Sequence, residues 1–227
     1  MPVSMLPLAA ALIHRTGTNV RRVASHDPAS DPGRIVLLRH GQTEWSASGQ
    51  HTSRTDIPLT DRGRVLAQET AELGRRILRG RAPALVLSSP RARAQVTAEL
   101  VGLHVDRVDD RLVEWDYGEY EGRTTSEIRT EQPGWSIWER GAPGGETPEQ
   151  VTKRADDLIA DVAGTLADGD VVLVGHGHFS RALMARWVEL PIGAGDRLMM
   201  DAPAWAVLGH YHGDVRCLDH VNLHSLG

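Results

Sequence analysis

Cysteine and lysine are almost missing from this chain. One cysteine, Cys217, in 227 residues excludes an intrachain disulfide and any Cys-x-x-Cys metal or redox pair. It fits a reducing compartment, and the chain reads as cytoplasmic. One lysine, Lys153, leaves arginine to carry nearly all the positive charge. A planar, permanently charged guanidinium is the better clamp where an anion must be held. No basic field exists either: the net charge is −5, which argues against nucleic acid as a partner. No apolar run approaches the ~20 residues of a membrane span, so no membrane partner is expected. The apolar stretch "MLPLAAALI" has no basic run before it and no small-residue cleavage site after it, unlike a secretory signal. Residues 1–33 are rich in Ser, Pro, Arg and Asp without periodicity, and read as a flexible N-terminal tail.

What is present is an ordinary globular composition, 41% hydrophobic and 24% charged. Residues 34–227 are enough for one domain with its own core, needing no disulfide or structural metal. From Arg34 onward, buried strands alternate with amphipathic helices. "RIVLLRH", "ALVLSS" and "DVVLVGH" are apolar runs of strand length. "LTDRGRVLAQETAELGRRIL" reads as one helix capped by Thr60, with Val65, Leu66, Leu73 and Ile77 on its apolar face. A second helix is predicted from Pro90, with Ser89 as its cap. "HVDRVDDRL" suggests a short strand and loop. A short helix is predicted near Thr125–Glu131, and a longer one after Thr147. Another follows His176, and "AWAVLGHYH" and "VRCLDHV" form a closing hairpin turned at Gly213-Asp214. The alternation predicts an α/β fold: a three-layer α/β/α sandwich around a mainly parallel central sheet. Residues 115–146, with irregularly spaced Gly, Trp and Pro, read as an insertion.

Two of the strands end in the same unusual way. "IVLLRHG" turns from four apolar residues into Arg39-His40-Gly41, and "VVLVGHG" into His176-Gly177. Ligands of open α/β sheets sit beyond the carboxyl ends of the strands. If these two strands are neighbours, both imidazoles meet over one pocket, and the glycines let backbone come close to a ligand. A third strand end, "SSPRARA", puts Arg91 and Arg93 at the start of a helix, where cations oppose the helix dipole. Such a placement suggests a bound anion.

Taken in order, "LRHGQTEW", "SSPRARA", "LVEWDYGEYEG", "PGGETPEQVTKR" and "VGHGHFSRAL" resemble the motifs of the histidine phosphatase superfamily, which includes the cofactor-dependent phosphoglycerate mutases. The resemblance runs from about residue 34 through most of the chain, and is closest to an actinobacterial acid phosphatase branch. It implies a phosphoglycerate-mutase-like fold and a metal-independent phosphatase without cofactors, acting on a small phosphorylated metabolite such as a sugar phosphate. It further implies that His40 is the nucleophile, that Arg39, Arg93 and His176 hold the phosphate oxygens, and that Glu114 gives the leaving group its proton. A protonated His176 would be of most help beside the dianion. Gln42, Thr43, Ser46, Thr52, Ser53, Tyr117 and Gly177 would line the phosphate and substrate site, with Gln42, Thr43 and the loop at 51–56, "HTSRTD", at its rim. Trp115, Tyr117, Tyr120, Trp135 and Trp138 would form an aromatic wall at the entrance.

The chain departs from the family pattern in places. Ser46 lies where many members have Asn, and Ser53 where many have Gly. Phosphoglycerate mutases carry a longer, more basic segment after the matching Glu, whereas this one is short and acidic. That favours a phosphatase over the alternatives, which are mutase-type phosphoryl transfer and a non-catalytic phosphate sensor. A zinc hydrolase built from His40, His176, His178, His210 and His212 is disfavoured, since no His-Glu-x-x-His pattern is present. The surface leaves room for a homodimer, though no pattern demands one.

Overall fold

The computed structural model describes residues 32–224. The tail expected over residues 1–33 lies almost wholly outside the described residues, as does the apolar stretch near the start. The first strand, β1 (Ile35–Arg39), is followed by α1 (Glu44–Ser48), α2 (Asp61–Glu69) and α3 (Ala71–Ile77). Then come β2 (Leu85–Ser88), α4 (Ala92–Leu100), β3 (Arg107–Val108), α5 (Thr125–Glu131) and α6 (Ile137–Arg140). The chain continues through α7 (Pro148–Ala163), β4 (Val171–Gly175), α8 (Gly177–Trp187) and the hairpin β5 (Trp205–Tyr211) and β6 (Val215–Leu223). The strands form one sheet in the order β3-β2-β4-β1-β5-β6. The first four in that order are parallel, and β5 and β6 are antiparallel additions. No described helix is long and apolar enough to cross a membrane.

The apolar runs follow from burial on both faces. On one face Ile35, Leu37, Val171 and Leu173 meet α7, α8 and the aromatic residues of 115–138. On the other, Val36, Leu38, Val172 and Val174 meet Ile77, Leu78, Ala94 and Ala98. Sheet and flanking helices therefore make three layers, as the sequence predicts. The helices α5 and α7 begin where expected, each at a threonine capping box: Thr124 with Glu127, and Thr147 with Gln150.

Two local expectations are corrected. The single helix expected over 59–78 is divided at Thr70 into α2 and α3. The indole N–H of Trp205 donates to Thr70 Oγ1 at 2.8 Å, and its ring presses on Gly74, where a Cβ would lie 2.5 Å from Cζ2. This contact fixes the break from the far end of the chain. Val65, expected on the apolar face, points outward and is 52% exposed. The helix expected from Pro90 begins instead at Ala92, with no side-chain cap from its own N-cap residue, Arg91. The carboxylate of Asp56, from another loop, accepts from Ala92 N at 3.2 Å.

Candidate active site

Sheet register builds the centre of the site. Arg39 at the end of β1 pairs with Gly175 at the end of β4, so the next residues, His40 and His176, emerge side by side. His40 N donates to Gly175 O at 3.0 Å. The imidazoles are edge to face with centroids 5.1 Å apart. One strand over, β2 delivers Ser89, whose N donates to Val174 O at 2.9 Å. Gly41 passes so close to α2 that a Cβ would lie 2.7 Å from Gly63 O.

His40 is buried, and its Nδ1 lies 2.7 Å from Gly41 O. A carbonyl only accepts, so Nδ1 carries the proton and Nε2 keeps its lone pair. Burial, then the Arg39 and Arg93 guanidiniums, hold its pKa well below the usual histidine value. It is a neutral imidazole with a free nitrogen. Arg39 donates to Met200 O and is flanked by Gly177, where a Cβ would lie 2.9 Å from Cζ. Arg93 is 1% exposed. Its terminal nitrogens donate to Thr55 O at 2.9 Å and Thr52 O at 3.3 Å. The loop that supplies those carbonyls is anchored by Glu121, which accepts from Ser53 N, Ser53 Oγ and Thr55 N. Arg39 Nε, Arg91 Nε, Arg93 Nε and His176 Nδ1 are buried without hydrogen-bond partners among the described residues. Buried donors are seldom left unmatched, and a group of them around a nucleophilic nitrogen suits a compact oxyanion.

Glu114 lies on the floor of the adjoining cleft, 6% exposed. Its Oε1 accepts from Trp115 N at 2.9 Å and Phe179 N at 2.8 Å, and its Oε2 from His178 N at 3.0 Å. Two of these donors belong to the first turn of α8, where a carboxylate is favoured by the helix dipole.

The cleft is about 370 Å³. Of the residues singled out from sequence, Arg39, His40, Thr43, Ser46, Thr52, Glu114 and Tyr117 line it. His176 packs edge to face on His40, and the Arg93 charge acts on the same ring; both residues are buried. Gln42, Ser53 and Gly177 are one layer back. Gln42 accepts from the Thr60 hydroxyl at 3.2 Å, Ser53 donates to Glu121, and Gly177 makes room for Arg39. The Ser46 hydroxyl closes the cap of α1, accepting from Thr43 N at 2.8 Å and donating to Thr43 O at 3.0 Å. Trp135 and Trp138 line the cleft as well, whereas Trp115 and Tyr120 belong to the core beneath.

The loop at 51–56 reaches the rim as expected, through His51 and Thr52, but sequence reasoning overlooked His178, Arg129 and Arg181 in the outer wall. His178 accepts or donates at 2.7 Å with the Tyr117 hydroxyl, and His51 stacks on the same ring at 4.4 Å. Burial keeps both imidazoles neutral, lowering the pKa of His51 to about 4 and that of His178 well below its usual value. His176 is lowered in the same sense. Burial and the Arg93 guanidinium lower its pKa well below the usual value. Arg181 stacks over Trp138 at 4.9 Å and is fixed by Gly195 O at 2.9 Å, and Arg129 donates to Trp135 O at 2.9 Å. The repeat Gly-His-Gly-His at 175–178 was the available signal for His178. Nothing local marked Arg129 or Arg181. No group of three His, Cys, Asp or Glu side chains among the described residues is arranged to hold a metal ion.

Comparison with known proteins places the chain in a family. Residues 35–223 match the family model of the histidine phosphatase superfamily (branch 1). An acid phosphatase of Mycobacterium tuberculosis is 45% identical over 181 residues, 79% of this chain and 88% of the relative. The sedoheptulose 1,7-bisphosphatase of Saccharomyces cerevisiae is 35% identical over 187 residues, 70% of this chain and 69% of the relative. The solved structure of a Mycobacterium tuberculosis open reading frame product superposes with a TM-score of 0.81 at 43% identity, covering 85% of this chain and 98% of that one. The chain therefore belongs to the histidine phosphatase superfamily, branch 1, as a phosphatase.

Proposed function

We propose that this phosphatase hydrolyses small phosphomonoesters of the sugar-phosphate type through a phosphohistidine on His40, with no metal ion in the reaction. The observation that carries the reading is the state of His40. It is neutral, with Nε2 free because Nδ1 is held by Gly41 O; the Arg39 and Arg93 charges act on it and the His176 ring packs on it, and all three residues carry a buried nitrogen without a partner among the described residues. A neutral imidazole is a nucleophile at ordinary pH. Phosphoryl transfer asks chiefly for alignment and charge stabilisation, which two guanidiniums and an imidazole supply.

In the first step Nε2 forms a bond to phosphorus and the ester oxygen leaves, taking a proton from Glu114. Oε2 of Glu114 accepts a single N–H, against two at Oε1, and is the oxygen better able to carry that proton. In the second step water attacks phosphorus, Glu114 takes its proton back, and the P–N bond breaks to return neutral His40. The leaving group would occupy the cleft between Trp135, Trp138, His51 and Thr125. Aromatic faces and neutral hydrogen-bonding groups there suit a hydroxylated carbon skeleton. The name of the yeast relative, a sugar bisphosphatase, supports the same substrate class.

The test is phosphate release from an aryl phosphate in the presence of chelator, with quenching in alkaline detergent to trap protein-bound phosphate. Wild type is expected to turn over with chelator present and to yield an acid-labile, base-stable phosphoprotein. His40→Ala is expected to lose roughly 10⁴-fold or more in kcat, the scale of removing a covalent nucleophile. Turnover retained in His40→Ala but abolished by chelator would refute the reading.

A further inference from the structure

The hydroxyl of Ser89 has two polar neighbours. Arg91 N donates to it at 3.3 Å, and His176 Nε2 lies 2.8 Å away. Ser89 and His176 are both 0% exposed. A serine hydroxyl offers one proton and two lone pairs. If Nε2 carried the imidazole proton, both lone pairs would be occupied, and the Ser89 proton would have no acceptor among the described residues. A buried polar group left unmatched costs about 1–3 kcal/mol. The opposite polarity satisfies both groups: Ser89 accepts from Arg91 N and donates to Nε2, which places the imidazole proton on Nδ1.

The other side of the ring points the same way. His176 Nδ1 is buried and has no partner among the described residues. With Nε2 engaged by Ser89, it is the nitrogen left to meet a ligand beside His40. Bare, it would turn a lone pair toward anionic oxygens. Protonated, it donates to them while the ring stays neutral. Which nitrogen of a histidine carries the proton is set by the hydrogen bond the other one makes.

We propose that Ser89 is a positioning residue that donates to Nε2 of His176 and holds the neutral ring in the Nδ1–H tautomer, as a hydrogen-bond donor to a phosphoryl oxygen. The proposal rests on the phosphohistidine reading above and adds a member to its machinery. Burial of His176 beside Arg93 keeps the ring from simply carrying both protons, so the tautomer decides whether it helps or repels. Ser89 thus serves the site from the end of β2, where a helix cap was expected.

Histidine ¹⁵N chemical shifts near neutral pH, with and without inorganic phosphate, read the tautomer directly, with His176→Gln to assign the signals. Wild type is expected to show protonated Nδ1 and bare Nε2 at His176. Ser89→Ala is expected to move the population toward Nε2–H, and Ser89→Thr, which keeps the hydroxyl, to restore it. In turnover, Ser89→Ala is expected to lose roughly 10- to 100-fold in kcat/KM, the order of one misdirected charge-stabilising donor. Inhibition by inorganic phosphate should weaken in step, and the loss should vanish in a His176→Gln background. A wild-type His176 protonated on Nε2 would overturn the proposal. So would equal losses from Ser89→Ala in both backgrounds, the pattern of a serine that only packs. The shift measurement needs no turnover, so failure of the His40 reading and failure of this one are told apart.

Discussion

The floor of the cleft and its outer wall are made in different ways. The floor comes from three adjacent parallel strands, β1, β4 and β2, whose pairing brings His40, His176 and Ser89 into one row. The wall comes from residues 115–146 and from His178 and Arg181 of α8, held by aromatic packing and by indole N–H bonds, Trp115 to Glu146 O and Trp135 to Gly141 O. Strand register permits no small adjustment, since a slip of one residue turns every side chain to the other face. Packing among rings permits many. A reacting centre on the first kind of scaffold and a recognition surface on the second divide chemistry from selectivity.

Substitutions on the two sides sharpen that contrast. On the floor, Gly177→Ala puts a methyl group 2.9 Å from Arg39 Cζ and displaces the guanidinium. The expected loss is roughly 10- to 100-fold in kcat/KM for every substrate, as a misplacement near 1 Å costs; steady-state kinetics with an aryl phosphate and a sugar phosphate check it. On the wall, Arg181→Ala is expected to leave kcat for the aryl phosphate nearly unchanged and to raise KM for sugar phosphates several-fold, the signature of lost uniform binding. If the two substitutions affected both substrates alike, the division would fail.

The smallest effect concerns stability. His51 titrates near 4 in the folded protein against 6.5 for an ordinary histidine, and His40, His176 and His178 are lowered in the same direction. Unfolding lets each take up a proton, so the unfolded chain binds more protons across this window. Stability is then full above about pH 6.5 and falls as pH drops toward 4. Thermal melts from pH 7 to 5 are expected to show Tm declining. Inorganic phosphate should offset the decline if it binds the folded site. A flat Tm over that range would contradict the neutral assignment of these rings.

The same contrast explains what could be read in advance. β1 and β4 announced themselves because strands buried on both faces are apolar at successive positions, and His40 and His176 broke those runs abruptly. α5 and α7 start close to where the sequence puts them, at capping boxes, which are local by construction. What escaped depends on partners distant in sequence. The break at Thr70 needs Trp205, the start of α4 needs Asp56, and the Ser89 hydroxyl, besides accepting from Arg91 N, reaches His176. Arg129 and Arg181 look like any surface arginine until Trp135 O and the Trp138 ring fix them.

Glu121 joins the two regions. It holds Ser53 and Thr55, and the carbonyls of that loop in turn grip Arg93. The consequence concerns evolvability. A lineage exploring new substrates can vary 123–138 freely only while Glu121 stays put, because its loss passes through two peptide carbonyls to a residue beside the nucleophile. Libraries that randomise the wall should therefore spare this one carboxylate, and functional clones should be scarce among those that do not.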